Sequence, residues 1–364
     1  MRIAVLSSTP LNPREGSGTF VGIAGLNRGL TALGHQVAVR PLGRRTGFHT
    51  LDRWLYNAGV RLAPPRGVDL VVGVDLDGFL WARRRRVPFV ASLKGIIADE
   101  LRNERGWVRA LLTLQARWER LNTRRADLVV VTSRYCAEVA GRVYGVPADR
   151  LAVVPEPIDL EAWDAEFGRA TLTPHRRPVV LSVARMYPRK RLQDLLHAAA
   201  VLRTRIPDVQ VRIVGQGPEY PGLVRLHGEL ALGESVILLG DVSRERLAAE
   251  YVGADVFCLP SVQEGFGIVF LEAMAAGLAV VACRAAAVPE VVRDGETGVL
   301  VPPRAPEALA GALGGLLRNP GRAHTLGEEG RRRVTELTPP RVAERFLHAV
   351  ESIPGLRRDI QRRD

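Results

Sequence analysis

The stretch LPSVQEGFGIVFLEAMAAG, residues 259–277, combines a strand end, a glycine-rich turn and the start of a helix. Gly265 and Gly267 let the backbone approach a ligand closely, and the free N–H groups at a helix start favour an anion. Glu264 lies in the turn and Glu272 about one turn into the helix. Because carboxylates accept hydrogen bonds from hydroxyl groups, one glutamate can bind a sugar and the other a ribose. The spacing Glu-x7-Glu is weak evidence by itself, since the helix macrodipole also favours acidic residues at a helix start, but the surrounding motif favours a ligand site.

Two cations precede this stretch, at the start of the second half of the chain. Arg185 and Lys190 follow a predicted strand at residues 179–183. A departing nucleoside diphosphate gains negative charge, which cations in a water-poor cleft stabilise selectively in the transition state. A solvated basic loop is the alternative, because Arg189 and Arg191 are adjacent. The position directly after the first strand of a domain favours a function, and we predict Arg185, Lys190 and Glu264 as catalytic residues.

Apolar strands alternate with helical patterns along the whole chain, which is typical of parallel sheets covered by helices on both faces. We therefore predict an α/β fold with two doubly wound, Rossmann-like domains that face a cleft. The predicted strands cover residues 3–7, 36–40, 69–73, 88–92, 127–132, 151–154, 179–183, 209–214, 236–239, 255–259, 279–282 and 299–301. The predicted helices cover residues 22–33, 192–205, 244–251, 269–276, 289–293, 306–318 and 341–352.

Prolines separate the two halves. They punctuate residues 155–178, where the periodicity fades, so we place the linker near 158–177. The predicted domains are residues 1–160 for the acceptor and 178–340 for the nucleotide sugar. Residues 341–364 are predicted to be a helix and tail that pack back on the first domain.

The first half of the chain contains weaker candidate motifs. Gly16-Ser17-Gly18 is predicted to form a loop before the helix at 22–33 and to place backbone N–H groups against a phosphate. This is not the dinucleotide-binding fingerprint, because the third glycine is out of register. Asp75-x-Asp77 resembles a metal-binding motif of another fold, but we interpret it as a strand-end loop, and His35 as a turn or core residue.

The composition indicates a globular protein with an uneven charge. Of 364 residues, 46% are hydrophobic and 25% are charged. The net charge is +12, of which residues 1–174 contribute +8, from 25 basic and 17 acidic residues. No apolar run is long enough to span a membrane and we recognise no signal peptide, so we expect a cytoplasmic protein. The scattered cysteines Cys136, Cys258 and Cys283 indicate a reducing compartment.

The basic excess suits an anionic acceptor or membrane surface, although an arginine-rich genome would produce the same bias. Residues 101–127 combine seven arginines with Trp107 and a stripe of Leu114, Trp118 and Leu121. Such a segment can seat a helix on anionic lipid; an ordinary amphipathic surface helix is the alternative. We predict a peripheral enzyme at the inner face of the membrane, with a glycan or lipid-linked acceptor and without nucleic acid.

These motifs resemble those of the retaining glycosyltransferases of family 4, which have the GT-B architecture. The resemblance covers most of the chain and is most specific in residues 178–303. The matching segments are 183–190 (VARMYPRK), 213–219 (IVGQGPE), 238–240 (LLG), 254–261 (ADVFCLPS), 264–277, 288–290 and 295–301, with thinner matches at 16–21, 33–37, 131–134 and 154–159.

The resemblance implies a role for each matching residue. Arg185 and Lys190 would hold the diphosphate, Glu272 the ribose and Glu264 the sugar hydroxyls. Backbone N–H groups from the turn would bind sugar or phosphate, Gly16 and Gly18 would approach the distal phosphate, and the base would lie near residues 215 and 238–240. The implied nucleotide-sugar site therefore comprises Gly16, Gly18, Lys94, Arg185, Lys190, Gly215, Leu239, Glu264, Gly265, Phe266, Gly267, Ile268 and Glu272.

The chain departs from the family pattern at two places. Lys94 stands where the family often has a histidine near the donor sugar, and could contact the donor phosphate, the sugar or an anionic acceptor. Glu156 stands where asparagine is usual, and Pro157 replaces a glycine. Only two of the 51 basic residues are lysines, Lys94 and Lys190, which suggests sites that need a compact charge.

We therefore predict a retaining, metal-independent hexosyltransferase that uses a UDP- or GDP-sugar as co-substrate and needs no cofactor. One alternative is a nucleotide-sugar epimerase or an inverting transferase of related fold. Another is a non-catalytic partner subunit that binds nucleotide sugars. A pyridoxal-phosphate phosphorylase is disfavoured, because Lys190 is the last lysine of the chain.

Overall fold

A computed structural model describes residues 1–10, 13–43, 45–170, 177–354 and 356. All the predicted strands are present, with bounds shifted by at most two residues. The strands are β1 (Arg2–Leu6), β2 (Gln36–Arg40), β3 (Leu70–Val74), β4 (Phe89–Leu93), β5 (Leu128–Val131), β6 (Leu151–Val153), β7 (Val179–Val183), β8 (Gln210–Val214), β9 (Val236–Gly240), β10 (Val256–Leu259), β11 (Ala279–Cys283) and β12 (Gly298–Val301).

Helices connect these strands. They are α1 (Pro13–Ala32), α2 (His49–Leu62), α3 (Ile97–Glu100), α4 (Gly106–Arg125), α5 (Arg134–Tyr144), α6 (Leu160–Arg169), α7 (Leu192–Arg205), α8 (Tyr220–Glu229), α9 (Arg244–Val252), α10 (Ile268–Ala275), α11 (Val288–Val291), α12 (Pro306–Leu317), α13 (Pro320–Val334) and α14 (Pro339–Val350). None of the described helices is long and apolar enough to cross a bilayer.

The chain divides into two compact units. Unit 1 comprises Met1–Pro157 and the chain from Leu337 onward, and unit 2 comprises Ile158–Glu336. In unit 1 the strand order is β2-β1-β3-β4-β5-β6, and in unit 2 it is β12-β11-β10-β7-β8-β9. Neighbouring strands run parallel in both sheets. Each unit is thus a doubly wound α/β sheet, as predicted.

Burial on both faces explains the continuous apolar runs of the central strands. Every residue of β3, β4, β5, β10 and β11 is buried, as expected for a parallel sheet with helices on both sides. The three cysteines are buried in these cores.

Side-chain caps and glycines set several of the helix ends. The Ser133 hydroxyl accepts from Cys136 N at the start of α5, and Ser243 caps α9 in the same way. Helix α5 ends at Gly145, whose φ of +68° lies in the left-handed region that glycine tolerates.

The predicted linker contains a helix. Asp159 caps α6 by accepting from Ala162 N, and α6 belongs to unit 2. Trp163 and Phe167 stack with ring centroids 5.2 Å apart and pack against Tyr251. The prediction of a linker at 158–177 was therefore wrong over α6. The prolines on both sides indicated a linker, but two aromatic side chains stabilise a helix there.

Helix α1 is longer at its N-terminus than predicted. It begins at Pro13, so Gly16 and Gly18 lie in its first turns rather than in a preceding loop. Proline suits the first helical position because its φ is already helical and it has no N–H to leave unpaired. The other end of unit 1 packs beside this helix, since α1 and α14 are neighbours.

Candidate active site

Lys190 and Glu264 form an ion pair at the carboxyl edge of the unit 2 sheet. The 3-10 turn Pro188–Lys190 follows β7 and presents the lysine. Its Nζ lies 2.6 Å from Glu264 Oε1, and the two side chains are only 12% and 8% exposed. A backbone hydrogen bond from Val262 N to Arg189 O, 2.9 Å long, joins the two loops. The structure thus brings together two of the predicted catalytic residues.

The environment keeps Glu264 ionised. Burial opposes its negative charge, but the Lys190 ammonium, the Ser261 hydroxyl and Arg189 outweigh burial and lower the pKa of Glu264 below its usual value. Two opposite charges therefore lie side by side in a nearly closed site. Arg185 lies half-buried in the loop that follows β7.

The turn before α10 has the geometry that its glycines predict. Gly267 has a φ of +95° and directly precedes the helix, and a Cβ there would lie 2.6 Å from the ring of Phe270. Gly265 is half-buried, whereas the side chains of Phe266 and Ile268 are buried. Those two residues therefore present only backbone to a ligand, next to free N–H groups at the start of α10.

Glu272 lies on α10 and is held by a residue that the sequence analysis missed. The Tyr251 hydroxyl, from α9, donates to Glu272 Oε2 over 2.9 Å. Burial raises the pKa of Glu272 to about 7, although the Tyr251 hydrogen bond and the charge of Arg244 favour the ionised form. This carboxyl group therefore titrates near neutral pH.

The ends of β8 and β9 meet the loop that carries Arg185. Gly215 has a φ of +120°, and a Cβ there would collide with the carbonyl oxygen of Ala184. Its N–H donates to Gly240 O over 2.8 Å, and Leu239 is half-buried beside it. The predicted base-binding residues thus lie at the same sheet edge as the predicted diphosphate-binding residues.

In unit 1, the two departures from the family pattern contact each other. Lys94, directly after β4, places Nζ 2.9 Å from Glu156 Oε1 and 3.1 Å from Oε2. The side chains are 11% and 4% exposed. Glu156 packs against Gly22 of α1, where a Cβ would collide with the carboxylate, and Pro157 packs against Gly25. Lys94 is thus neutralised by a buried partner and is not a free cation, and the two replacements form one ion pair.

The Asp75-x-Asp77 motif is part of the internal structure of unit 1, in agreement with its interpretation as a strand-end loop. Asp77 is buried and accepts from the Ser8 hydroxyl at 2.8 Å and from Asn57 Nδ2 at 3.0 Å. Asp75 accepts from Lys94 N at 2.9 Å.

Comparison with known proteins agrees with this architecture. The family model described as "Glycosyl transferases group 1" matches residues 165–333. The model described as "Glycosyltransferase Family 4" matches residues 16–162.

Two curated relatives are mannosyltransferases. The chain is 34% identical, over 66% of its length, to a GDP-mannose-dependent alpha-(1-6)-phosphatidylinositol monomannoside mannosyltransferase of Mycolicibacterium smegmatis, and the match spans 65% of that protein, slightly less than two thirds. It is 29% identical to the MMP alpha-(1->4)-mannosyltransferase of Mycolicibacterium hassiacum, over 93% of this chain and 94% of that protein.

Solved structures share the fold. The sucrose-phosphate synthase of Thermosynechococcus elongatus superposes with a TM-score of 0.80 at 23% identity, and each chain is covered completely. The Anabaena protein HepE in complex with UDP-glucose gives 0.75 at 20% identity, covering 97% of this chain and 100% of that one. Together with the family matches, these findings show that the chain belongs to glycosyltransferase family 4 and has the GT-B fold.

Proposed function

We propose that this protein transfers mannose from GDP-mannose to a hydroxyl acceptor, with retention of configuration and without a divalent metal. The observation that carries the proposal is the buried Lys190–Glu264 pair, with Glu272 on the helix that follows the same turn. A cation and two carboxylates at the strand ends of a Rossmann-like sheet suit a diphosphate that joins a sugar to a ribose.

In this proposal Arg185 and Lys190 bind the diphosphate and stabilise the charge that develops as the sugar leaves. The Lys190 ammonium donates one hydrogen bond to Glu264, so two further N–H donors remain for phosphate oxygens. These fixed cations supply the positive charge that a metal ion provides elsewhere. The leaving phosphate helps to deprotonate the acceptor on the same face of the sugar, so no enzymic nucleophile is required.

The remaining contacts orient the donor. Glu264 accepts from sugar hydroxyls, Glu272 accepts from the ribose, and the backbone between Gly265 and Ile268 donates to the sugar or phosphate. The base lies against Gly215 and Leu239.

The choice of GDP-mannose rests on the relatives, of which two are mannosyltransferases and one is named for this donor. A thermal-shift panel of GDP, UDP, ADP and their hexose derivatives, run with and without EDTA, tests it. We expect the melting temperature to rise with GDP and GDP-mannose only. A rise in melting temperature confined to UDP ligands would overturn the choice of GDP-mannose as donor. A rise that disappears when EDTA is added would overturn metal independence.

We further propose a lipid-linked acceptor, reached from an anionic membrane surface. On helix α2 the polar residues Asp52, Arg53 and Asn57 are buried, whereas the apolar residues Trp54 and Leu62 are 43% and 86% exposed.

Helix α4 lies beside α2, since Gln115 Nε2 donates to Thr50 Oγ1 over 2.7 Å. It adds Trp107, 75% exposed, and the exposed arginines Arg109, Arg117 and Arg120. In the predicted stripe, Trp118 instead stacks on Phe79 with ring centroids 5.4 Å apart, so it belongs to the interior. Exposed tryptophans flanked by arginines suit an anionic bilayer interface.

Co-sedimentation with vesicles that contain phosphatidylinositol tests this surface. We expect binding at low salt that weakens at high salt and is lost on Trp54→Ser with Trp107→Ser. Val224→Ser in α8 removes a comparably exposed apolar side chain, 47% exposed, and should bind like the wild type. Failure of anionic vesicles to retain the wild-type protein at low salt would overturn the membrane proposal.

A further inference from the structure

Tyr251 is a buried tyrosine whose hydroxyl has one partner, the carboxylate of Glu272. The O–O distance is 2.9 Å, and Tyr251 has no exposed surface. Burial and the adjacent Glu272 charge raise the pKa of Tyr251 well above its usual value. The hydroxyl therefore stays protonated at every physiological pH and donates to Glu272.

An aromatic cluster fixes the ring of Tyr251. Trp163 of α6 meets it edge-on at 5.6 Å between centroids, and Phe167 of α6 at 6.4 Å. Phe257 of β10 stacks on it at 6.1 Å. Three aromatic neighbours leave the ring little rotational freedom, so the hydroxyl is held at one position.

The hydrogen bond divides the roles of the two Glu272 oxygens. Oε2 accepts from Tyr251, which leaves Oε1 to face a ligand. A carboxylate with one oxygen anchored inside the protein presents the other in a fixed direction, which suits a ligand with paired hydroxyls.

We propose that Tyr251 is a positioning residue for nucleotide binding: it orients Glu272 toward the ribose hydroxyls and maintains its negative charge. This inference rests on the proposed function, in which Glu272 binds the ribose. Tyr251 itself does not touch the ligand.

Few charges act on Glu272 among the described residues. Burial is the dominant influence and raises its pKa, and Tyr251 and Arg244, both from α9, lower it. Arg244 also lies 3.5 Å from Glu166 of α6. On α13, which packs against α10, the Arg331 guanidinium is engaged by Ala275 O and Asp164. Loss of the Tyr251 hydroxyl should therefore raise the pKa of Glu272 further, because no other donor replaces it.

The test is the pH dependence of GDP-mannose affinity, measured by calorimetry from about pH 5.5 to 9 in EDTA. The pyrophosphate of GDP-mannose is esterified at both ends, to ribose and to mannose, and does not titrate in this range. The pH profile of the affinity therefore reports on the protein. We expect wild-type affinity to fall as pH drops through about 7, where Glu272 becomes protonated. For Tyr251→Phe we expect about 5–10-fold weaker binding at neutral pH, recovery at high pH and a midpoint moved upward.

Two controls separate positioning from general destabilisation. Tyr56→Phe removes another buried hydroxyl, which donates to Arg40 O over 2.6 Å in unit 1, and should leave the midpoint unchanged. Glu272→Gln should abolish the pH dependence near 7. A Tyr251→Phe midpoint equal to that of the wild type would overturn the inference, even if affinity fell. Absence of GDP-mannose binding by the folded wild-type protein would instead overturn the proposed function.

Discussion

At the scale of single residues, the proposed chemistry depends on buried ion pairs. Each of its two lysines is paired with a buried glutamate, Lys94 with Glu156 and Lys190 with Glu264. Removing one member of such a pair leaves an uncompensated buried charge, which is strongly destabilising. Stability and activity must therefore be measured together in any variant of these residues.

Lys190→Ala should reduce kcat about 100-fold or more while changing donor affinity much less, because the charge that Lys190 meets develops in the transition state. Single-turnover kinetics and calorimetry, at a temperature where the variant is folded, measure the two quantities. Arg212→Met is a matched control, since Arg212 pairs with buried Glu250 at 3.2 Å, and should leave kcat unchanged. Equal losses of kcat and affinity would refute the role.

The Lys94–Glu156 pair predicts a strong coupling. Lys94→Met and Glu156→Gln should each lower the unfolding free energy, and the double variant should lose less than the sum by about 1–3 kcal/mol. Urea unfolding of the four proteins in the cycle measures this coupling. Additive losses would mean that the pair contributes nothing beyond its separate members.

Glu119 predicts a pH-dependent stability of unit 1. Burial, with nearby Asp75, raises its pKa to about 8, so the folded state keeps a proton that the unfolded state loses near pH 4.5. The unfolding free energy should therefore fall as pH rises from about 4.5 to 8. In Glu119→Gln this decline should be less steep, by at most about 1.4 kcal/mol per pH unit.

Intrinsic fluorescence can follow the unfolding of unit 1, because four of the five tryptophans lie in that unit: Trp54, Trp81, Trp107 and Trp118. Parallel stability profiles for the variant and the wild type would contradict the assignment of a buried, protonated Glu119.

Candidate site residues could be proposed from the sequence more readily than the residues that contact them. Lys190 and Glu264 were found because each belongs to a contiguous motif after a strand. Lys94 and Glu156 were each marked as departures from the family pattern, but their pairing was not predicted, since they are 62 residues apart. Tyr251 was missed because its importance depends on how α9 packs against α10.

At the scale of elements, periodicity was sufficient for the sheets, whereas several helices needed tertiary information. The strands are apolar runs bounded by polar or glycine residues, so their positions could be read directly. Helix α13 was not predicted, because it is largely polar, and helix α8 was not predicted either. Helix α6 was not predicted, because the prolines on both sides of it indicated a linker.

Helix α1 depends on small residues along one face. Gly22 and Gly25 accommodate Glu156 and Pro157, and a Cβ at Gly29 would collide with the carbonyl oxygen of Pro339 in α14. Gly29→Ala should therefore destabilise unit 1 by about 1–3 kcal/mol through overpacking.

Gly59→Ala is the matched control for that change. Gly59 lies within helix α2, and a Cβ there would meet no atom within 4 Å. The substitution should stabilise by about 0.5–1 kcal/mol, because alanine has the higher helix propensity. Thermal or urea unfolding compares the two variants; equal effects would show that the α1–α14 contact is not tight.

At the scale of the whole molecule, the function we propose places the nucleotide sugar in unit 2 and the acceptor in unit 1. The charge supports this division, since residues 1–157 hold 24 basic and 13 acidic residues, a net +11, and the exposed face of α2 and α4 lies in unit 1. The same division separates a transferase from a protein that only binds nucleotide sugars, because a binder needs no acceptor.

The most direct measurement is the transfer of labelled mannose from GDP-mannose to lipid in phosphatidylinositol-containing vesicles, in EDTA, with free GDP scored in parallel. We predict labelled lipid with one GDP released for each mannose transferred, and loss of both in Lys190→Ala. Saturable binding of GDP-mannose with neither GDP release nor labelled lipid would contradict the account and favour the non-catalytic binding subunit.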